Sequence, residues 1–468
     1  MSCQIKVLSH ACILVKSETH SIIVDPWLVG SCYWRSWWNF PESKFDESEL
    51  DNVNAVVISH IHWDHWHGPT LKKFFKDKKV IISNDANDRS YDDLLSIKFR
   101  DVERVSHGKS IKVGNIKITF YHFGLYLTDV AMVIEVNGVT ILNANDAKVA
   151  SNSLDHIIKK HQPIDFALRS HSSANPRVCF EIAGDSNFKN DDRDHYFRSF
   201  KLFMDKVNPK FAIPFASNHC HLNDDVFDFN DYISDPLELR EWVSSYDTKW
   251  NTKVMLPGSS WSTISGFDLA DETPFLEKNK TLVNYKNKVQ DRLDFYNEKE
   301  LKVKLDDRFL DRFHLFLKAA GVKKISIDIR FLLTTPEGMN NESLLLHNGN
   351  ISFDNNLDSS PGTNESLVIM PKIILRDSVI KNMFSHAYIS KRCKFIANNE
   401  SDMKILKSFL SKIENFELIV KPIKSLYLFR VFAGYCLRWR EVIVYFKAFY
   451  LQKTQGLELY EIEERLLK

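Results

Sequence analysis

Residues 59–68 read Ser-His-Ile-His-Trp-Asp-His-Trp-His-Gly. Five groups able to ligate a metal, His60, His62, Asp64, His65 and His67, fall within eight residues. They follow Asn54–Ile58, a nearly continuous apolar run of the kind expected for a strand covered on both faces. Alternation puts His60 and His62 on one side, where they can grip one ion. The loop can then swing Asp64 and His65 towards a second. Neutral imidazoles and carboxylates suit zinc, iron or manganese, and no thiolate argues for a softer metal. A polar turn with chance histidines would account for one such residue, but not for His-x-His-x-Asp-His directly after a strand. His67 reads as a loop residue.

The elements around this loop must supply the remaining groups. Strands are expected at Gln4–Val7, Ile13–Val15 and Ser21–Val24, the last leading into Asp25-Pro26-Trp27. Pro69 opens a helix expected over Thr70–Lys76, since proline suits a first helical turn. Two hairpins follow, Ser110–Lys112 with Ile116–Tyr121 and Val130–Val136 with Val139–Leu142. The second turns at Asn137-Gly138, where both residues tolerate positive φ. It delivers the chain to Asn143-Ala144-Asn145-Asp146. Tyr196–Val207 has helical periodicity, and the Phe211–Pro214 strand ends in Phe215-Ala216-Ser217-Asn218-His219-Cys220-His221. Strands giving way to loops that carry His or Asp recur, and this repetition is the expected architecture of a site.

At 468 residues the chain is long for one hydrophobic core,. We read residues 1–265 as one domain and 270–468 as a smaller α+β domain, joined by the polar stretch Asp268–Lys280. Helices are expected in the second part at Thr281–Glu298, Asp307–Ala320, Ile373–Phe384 and Asp402–Ile413. Its strands are expected at Lys324–Leu333, Leu344–His347 and Leu367–Met370, with a loop over Asn348–Asn364. The segments Val368–Pro371 and Met383–His386 are locally distinctive but suggest no role. A formal net charge of +1 provides no field for nucleic acid or anionic lipid,. The N-terminus lacks the pattern of a secretory signal. Phe416–Trp439, the most apolar late stretch, is interrupted by Lys421, Lys424, Arg430 and Arg438 and cannot cross a bilayer without burying charge,. Seven scattered cysteines, none at C-x-x-C spacing, fit a reducing compartment,. A cytoplasmic protein without membrane or nucleic-acid partners is expected, and Cys220, between two histidines, is the thiol to inspect.

The motif, the upstream His10 and Asp25-Pro26-Trp27 resemble the metallo-β-lactamase superfamily over roughly the first 260 residues. That resemblance implies a four-layer αββα sandwich with two metal ions at one edge. It implies His122 as third histidine of the first metal and Asp146 as a carboxylate shared by both. His219, His221 or His171 would supply the last histidine. His10 and Asp25 read as supports, Asp25 accepting the outer N–H of a motif histidine or simply stabilising the Pro-Trp turn. The aromatic set Trp27, Tyr33, Trp34, Trp37, Trp38 and Phe40, with Trp63 and Trp66, either locks the loop onto the core or walls a pocket. In the second case Trp34 and Trp63 would touch substrate and Arg35 would contact an anion.

The implied chemistry is hydrolysis of an ester, lactone, amide or phosphodiester by a metal-bridging hydroxide, with Asp64 orienting it or moving its proton. Zinc is the first expectation, iron or manganese the alternatives. Asp25-Pro26-Trp27-Leu28, Val139–Asn143, Pro214-Phe215-Ala216 and Pro257-Gly258 are also similar to segments of the CMP-N-acetylneuraminate hydroxylase branch. Members of that branch add an N-terminal Rieske iron–sulfur domain. This chain starts at the metallo-β-lactamase-like part and has no paired Cys-x-His and Cys-x-x-His stretches for such a cluster,. An unaided non-haem iron oxidoreductase or hydroxylase acting on a nucleotide sugar or other glycan-related small molecule is thus the alternative. A binding module with structural metals is the third reading.

Overall fold

The structure is a computed structural model that describes residues 2–85, 88–124, 129–172, 176–184, 193–322, 325–338, 340–417, 424–457 and 459–468. Two sheets face each other in the N-terminal part. One runs, edge to edge, through Gly266–Asp268, Ser260–Ser262, Gln4–Ser9, Cys12–Lys16, Ser21–Val24, Ala55–Val57, Lys79–Ser83 and Val102–Val105. The other runs through Asn251–Thr252, Phe211–Phe215, Phe166–Ser170, Val139–Asn145, Asp129–Val136, Ile116–Phe123 and Ser110–Val113. Alternating residues of both sheets, such as Ile5, Val7, Ile13, Ile118, Phe120, Met132 and Ile134, make a buried core between them,.

Helices cover the two outer faces. Leu71 of Gly68–Phe74 and Leu94 of Arg89–Ser96 pack on one sheet, with Val56, Val80 and Ile82 beneath. Leu154 and Ile157 of Ser151–His161 and Phe200 and Phe203 of Arg193–Val207 pack on the other. The result is the four-layer αββα sandwich. His67 caps the Gly68–Phe74 helix, its Nδ1 accepting from the Thr70 amide at 3.4 Å, which makes it a loop-ending residue,.

A six-stranded sheet organises the C-terminal part, in the order Phe180–Ile182, Lys394–Ala397, Glu365–Pro371, Asp328–Thr334, Asn340–His347 and Asn350–Asp354. The last strand lies inside the stretch expected as loop. It forms because Asn348 and Gly349, at φ 51° and 83°, make a hairpin turn that pairs Leu346 with Ile351,. Lys324, the expected start of the Asp328–Thr334 strand, lies outside the described residues, as do 418–423 of the apolar late stretch.

The boundary near residue 265 is crossed in both directions. Phe180–Ile182, between sandwich elements in the chain, is an edge strand of the C-terminal sheet, parallel to Lys394–Ala397. Conversely, the Leu459–Leu467 helix returns to the sandwich, where Leu467 joins Phe200 and Phe203, and Glu463 binds Arg169 at 2.6 Å.

Candidate metal centre

Three groups of ring nitrogens and carboxylate oxygens converge at the sandwich edge: His60, His62 and Asp129; His60, His65 and Asp146; and His10, Asp64 and His65. Within each group, one ligand atom per residue lies within 4.8 Å of the others. His60 is common to the first two groups and His65 to the last two. Asp146 Oδ2 stands 3.2 Å from His65 Nε2 and 3.9 Å from His60 Nε2. Asp129 Oδ1 also stands 3.9 Å from His60 Nε2. On the other side, Asp64 Oδ2 is 3.3 Å from His65 Nε2 and 3.1 Å from His10 Nε2.

The outer atoms of these residues are held by protein. Asp25, at φ 47°, accepts from the Ser59 amide and hydroxyl, each at 2.7 Å, and from Asn145 Nδ2 at 2.7 Å. The same carboxylate takes His65 Nδ1 at 2.9 Å, which turns Nε2 towards the centre,. Ser59 Oγ, 2.9 Å from His60 Nδ1, does the same for His60. Tyr33 donates to Asp64 Oδ1 at 2.5 Å. Tyr33, Trp34 and Arg35 all have left-handed backbone, at φ 49°, 52° and 69°. At roughly 1–2 kcal/mol per residue, such a run persists only where the surroundings impose it, and here it aims the phenol at Asp64.

Charge in this site is out of balance. Burial and the neighbouring charge of Asp146 push Asp129 up to about 7. Burial alone favours a neutral His65, yet Asp64 and Asp25 hold it well above the ordinary imidazole range. Asp64, also penalised by burial, is kept well below the usual carboxylate range by His65 and His10. Burial and the adjacent His65 and His62 keep His60 neutral. His65 Nε2 and Asp129 Oδ1 are buried without a hydrogen-bond partner. Convergent carboxylates, neutral imidazoles and unpartnered ligand atoms fit a pair of divalent cations.

His122 is not brought into any of these groups. Its Nε2 donates to the Val105 carbonyl at 3.1 Å and its Nδ1 lies 3.4 Å from Asp85. Burial and Arg438 push it down to about 3. Strand order gives the reason: Asp129–Val136 lies between Ile116–Phe123 and Val139–Asn145, so its first residue stands one strand nearer Asp146 than His122 does. None of His219, His221 and His171 joins a group among the described residues, and His10 stands beside Asp64 and His65 instead. His219 stacks on Trp37 at 3.6 Å, and His221 Nδ1 is held by the Ser36 hydroxyl and carbonyl, each at 3.0 Å. The intervening Cys220 points the other way, into the cluster of Trp38, Phe40 and Leu222, where burial raises its thiol well above the usual range.

The aromatic segment divides. Trp34 is buried in the C-terminal core, its Nε1 3.3 Å from Asp377 Oδ2. Arg35 is paired with Glu300, which also binds Arg392 at 2.7 Å, and its guanidinium lies 4.5 Å above the Tyr296 ring. It is therefore committed to an internal ion cluster. Trp63 remains half-buried beside the ligands, 5.8 Å from Tyr33. Facing it is His386 from the C-terminal part, 5.0 Å from Trp63 and 5.6 Å from both His62 and Tyr33, with Nε2 unpartnered. The sequence offers two signals for the residues it did not single out as site groups: an Asp opening the strand at 129, and the distinctive Met383–His386.

The β-lactamase superfamily domain family matches residues 4–124. The chain is 25% identical over 266 residues to the cytidine monophosphate-N-acetylneuraminic acid hydroxylase of Danio rerio, covering 54% of this chain and 44% of that one. It spans less than half the length of such curated relatives. Among solved structures, the metallo hydrolase Igni18 from Ignicoccus hospitalis is similar at 17% identity and TM-score 0.39, over 56% of this chain and 98% of that one. CmlA, a diiron β-hydroxylase from Streptomyces venezuelae, is similar at 14% identity and TM-score 0.38, over 56% and 53%. With the αββα layering and the edge cluster described above, the chain carries a metallo-β-lactamase-fold domain.

Proposed function

We propose that this chain is a metal-dependent oxidoreductase that hydroxylates a small organic molecule at a two-iron site. The observation that carries the reading is Asp129. With His60 and His62 it makes a group of two histidines and one carboxylate, the donor set of non-haem iron sites that activate dioxygen,. The other two groups have the same composition. The hydroxylase name of the relative from Danio rerio supports the same chemistry and suggests a nucleotide sugar or related molecule as substrate. Bound iron would supply the redox chemistry, with dioxygen and an electron pair from a separate reductant leaving one oxygen on carbon and one in water.

The protein's own groups have distinct parts. Asp64 has both oxygens engaged, by Tyr33 on one side and by His10 and His65 on the other, and so holds position instead of carrying a proton to substrate. His62, Asp129 and Asp146 are the partly exposed members, as is Trp63, which supports reading this side as the one open to substrate. Trp63, partly exposed and backed by the buried His386, offers a stacking surface for a base or sugar,. A hydrolase using the same groups is the second reading, favoured by the superfamily match over residues 4–124.

Anaerobic purification without added metal, followed by quantification of iron, zinc and manganese, separates the readings. About two irons per chain, with reductant-dependent dioxygen consumption stimulated by a nucleotide sugar, supports the hydroxylase. Zinc together with ester, lactone or phosphodiester cleavage moves the hydrolase ahead. No stoichiometric metal after reconstitution sinks both. Trp63→Ala should raise the substrate KM by about 5–10-fold and leave the metal content unchanged.

A further inference from the structure

The Trp439–Gln455 helix is seated on the sandwich by one face only. Glu441 accepts from the Gly124 amide at 2.8 Å, Val444 is buried, and Lys447 reaches Ser151 Oγ at 2.9 Å. Its opposite face presents Trp439, Phe446, Phe449 and Tyr450, and the preceding Lys424–Leu437 helix adds Phe429 and Phe432. Each of these six rings is between 50% and 70% exposed. Single exposed apolar side chains need no explanation, but such a concentration on adjoining helices marks a contact surface.

The charges on this face indicate what it contacts. Residues 429–455 hold five of the chain's Lys and Arg against one acid; Arg430 pairs with Asp88, Arg438 with Glu441, and Lys447 binds Ser151 and Asn152, which leaves Arg440 and Lys453 to the open face. Two of the cations sit on exposed rings: Arg440 lies 4.4 Å above Trp439, and Lys453 lies 5.8 Å from Phe449. Beside this face, a groove of about 780 Å³ shares Phe446 and Tyr450 and adds Arg465, Lys468 and Lys206 to its rim, the last paired with Asp155 at 3.2 Å. Aromatic rings flanked by cations on a surface helix are the chemistry of a bilayer interface. Among the described residues, no helix is long and apolar enough to cross a membrane. A second copy fits poorly, because a two-fold interface would set Arg440 and Lys453 against a like-charged surface.

We propose that the Lys424–Leu437 and Trp439–Gln455 helices dock the chain on an anionic phospholipid surface, their aromatic rings entering the interface and the basic groove meeting lipid phosphates. It departs from the expectation of no membrane partner, which rested on net charge, because acidic residues elsewhere cancel this local excess. The docking is independent of which reaction the metal centre performs.

Flotation of the full chain with phosphatidylcholine vesicles, with and without phosphatidylserine, tests it. Binding should be at least ~10-fold tighter with phosphatidylserine and should weaken in raised salt. Arg440→Glu with Lys453→Glu should erase that preference. Phe446→Ser with Phe449→Ser should abolish binding to both vesicles, with circular dichroism and metal content unchanged. Equal binding to the two vesicles, or none, overturns the proposal. So does sedimentation velocity showing a dimer that the serine variants dissolve, without vesicle binding, since the face would then belong to a second copy.

Discussion

His65 and His122 are both buried histidines at this edge of the sandwich, and they differ in how their nitrogens are used. His65 has its outer nitrogen taken by Asp25 and its inner nitrogen unpartnered beside two carboxylates. His122 spends Nε2 on a backbone carbonyl and has Asp85 near Nδ1, with Arg438 adding positive charge nearby. A metal needs a neutral imidazole with one lone pair aimed at it, and the support on the other nitrogen sets that aim. Burial at a strand end therefore does not distinguish a ligand from a structural histidine. What marks His65 is an unspent nitrogen that also faces carboxylates, since His219 and His221 keep Nε2 unpartnered too and join no such group among the described residues.

Substitutions can break this contrast, beginning with the largest effect. Asp146→Ala removes the carboxylate that stands within 4 Å of both His60 and His65 and should strip the bound metal almost completely, as read by elemental analysis of the purified protein. Asp25→Asn removes the anion that aims His65 and should lower metal affinity by about 10–100-fold, measured by competition with a chelator. His122→Ala should leave the metal content untouched and cost about 1–3 kcal/mol of stability, seen in denaturant unfolding. Metal loss in that variant would place His122 among the ligands after all.

The smallest effect concerns carboxylates. Glu417 caps the segment that carries His386, accepting from Ser385 N at 3.0 Å, and burial pushes it up to about 7. Asp64 is equally enclosed but has cationic partners, and it shifts the opposite way. Because the folded value of Glu417 lies above the ordinary 4.5, the folded chain retains a proton that the unfolded chain has released. Its contribution is complete below that ordinary value and is lost as the pH rises through about 7,. Glu417→Gln should therefore flatten the fall in stability between these values by about 1 kcal/mol or more, measured by unfolding at several pH values.

Local pattern made the first strands, the metal loop and the two hairpins turning at Gly114-Asn115 and Asn137-Gly138 legible, since each depends on alternation or on a turn residue. His60, His62, Asp64 and His65 were legible for the same reason, being neighbours in sequence. Asp146, 3.9 Å from His60, was legible as a carboxylate at a strand end, but Asp129 at the same distance was not, because preferring it to His122 requires knowing which strand lies next to Asp146. Arg35 looked like an anion contact only while its partner Glu300, far along the chain, was out of view. His386 is hidden by the same distance: no periodicity links it to His62. The strand at Asn350–Asp354 is a different miss, since its Asn-Gly turn was present and composition outweighed it.

The exchange of Phe180–Ile182 for Leu459–Leu467 between the two halves bears on the order of assembly. A ribosome delivers the sandwich strands long before the helix that covers Phe200, Phe203 and Arg169. Until it arrives, that outer face stays open to solvent and to chaperones. The edge strand meanwhile waits for a sheet not yet synthesised. The two halves must therefore mature together, and cutting the chain at the apparent boundary near residue 265 would yield two incomplete cores instead of two domains.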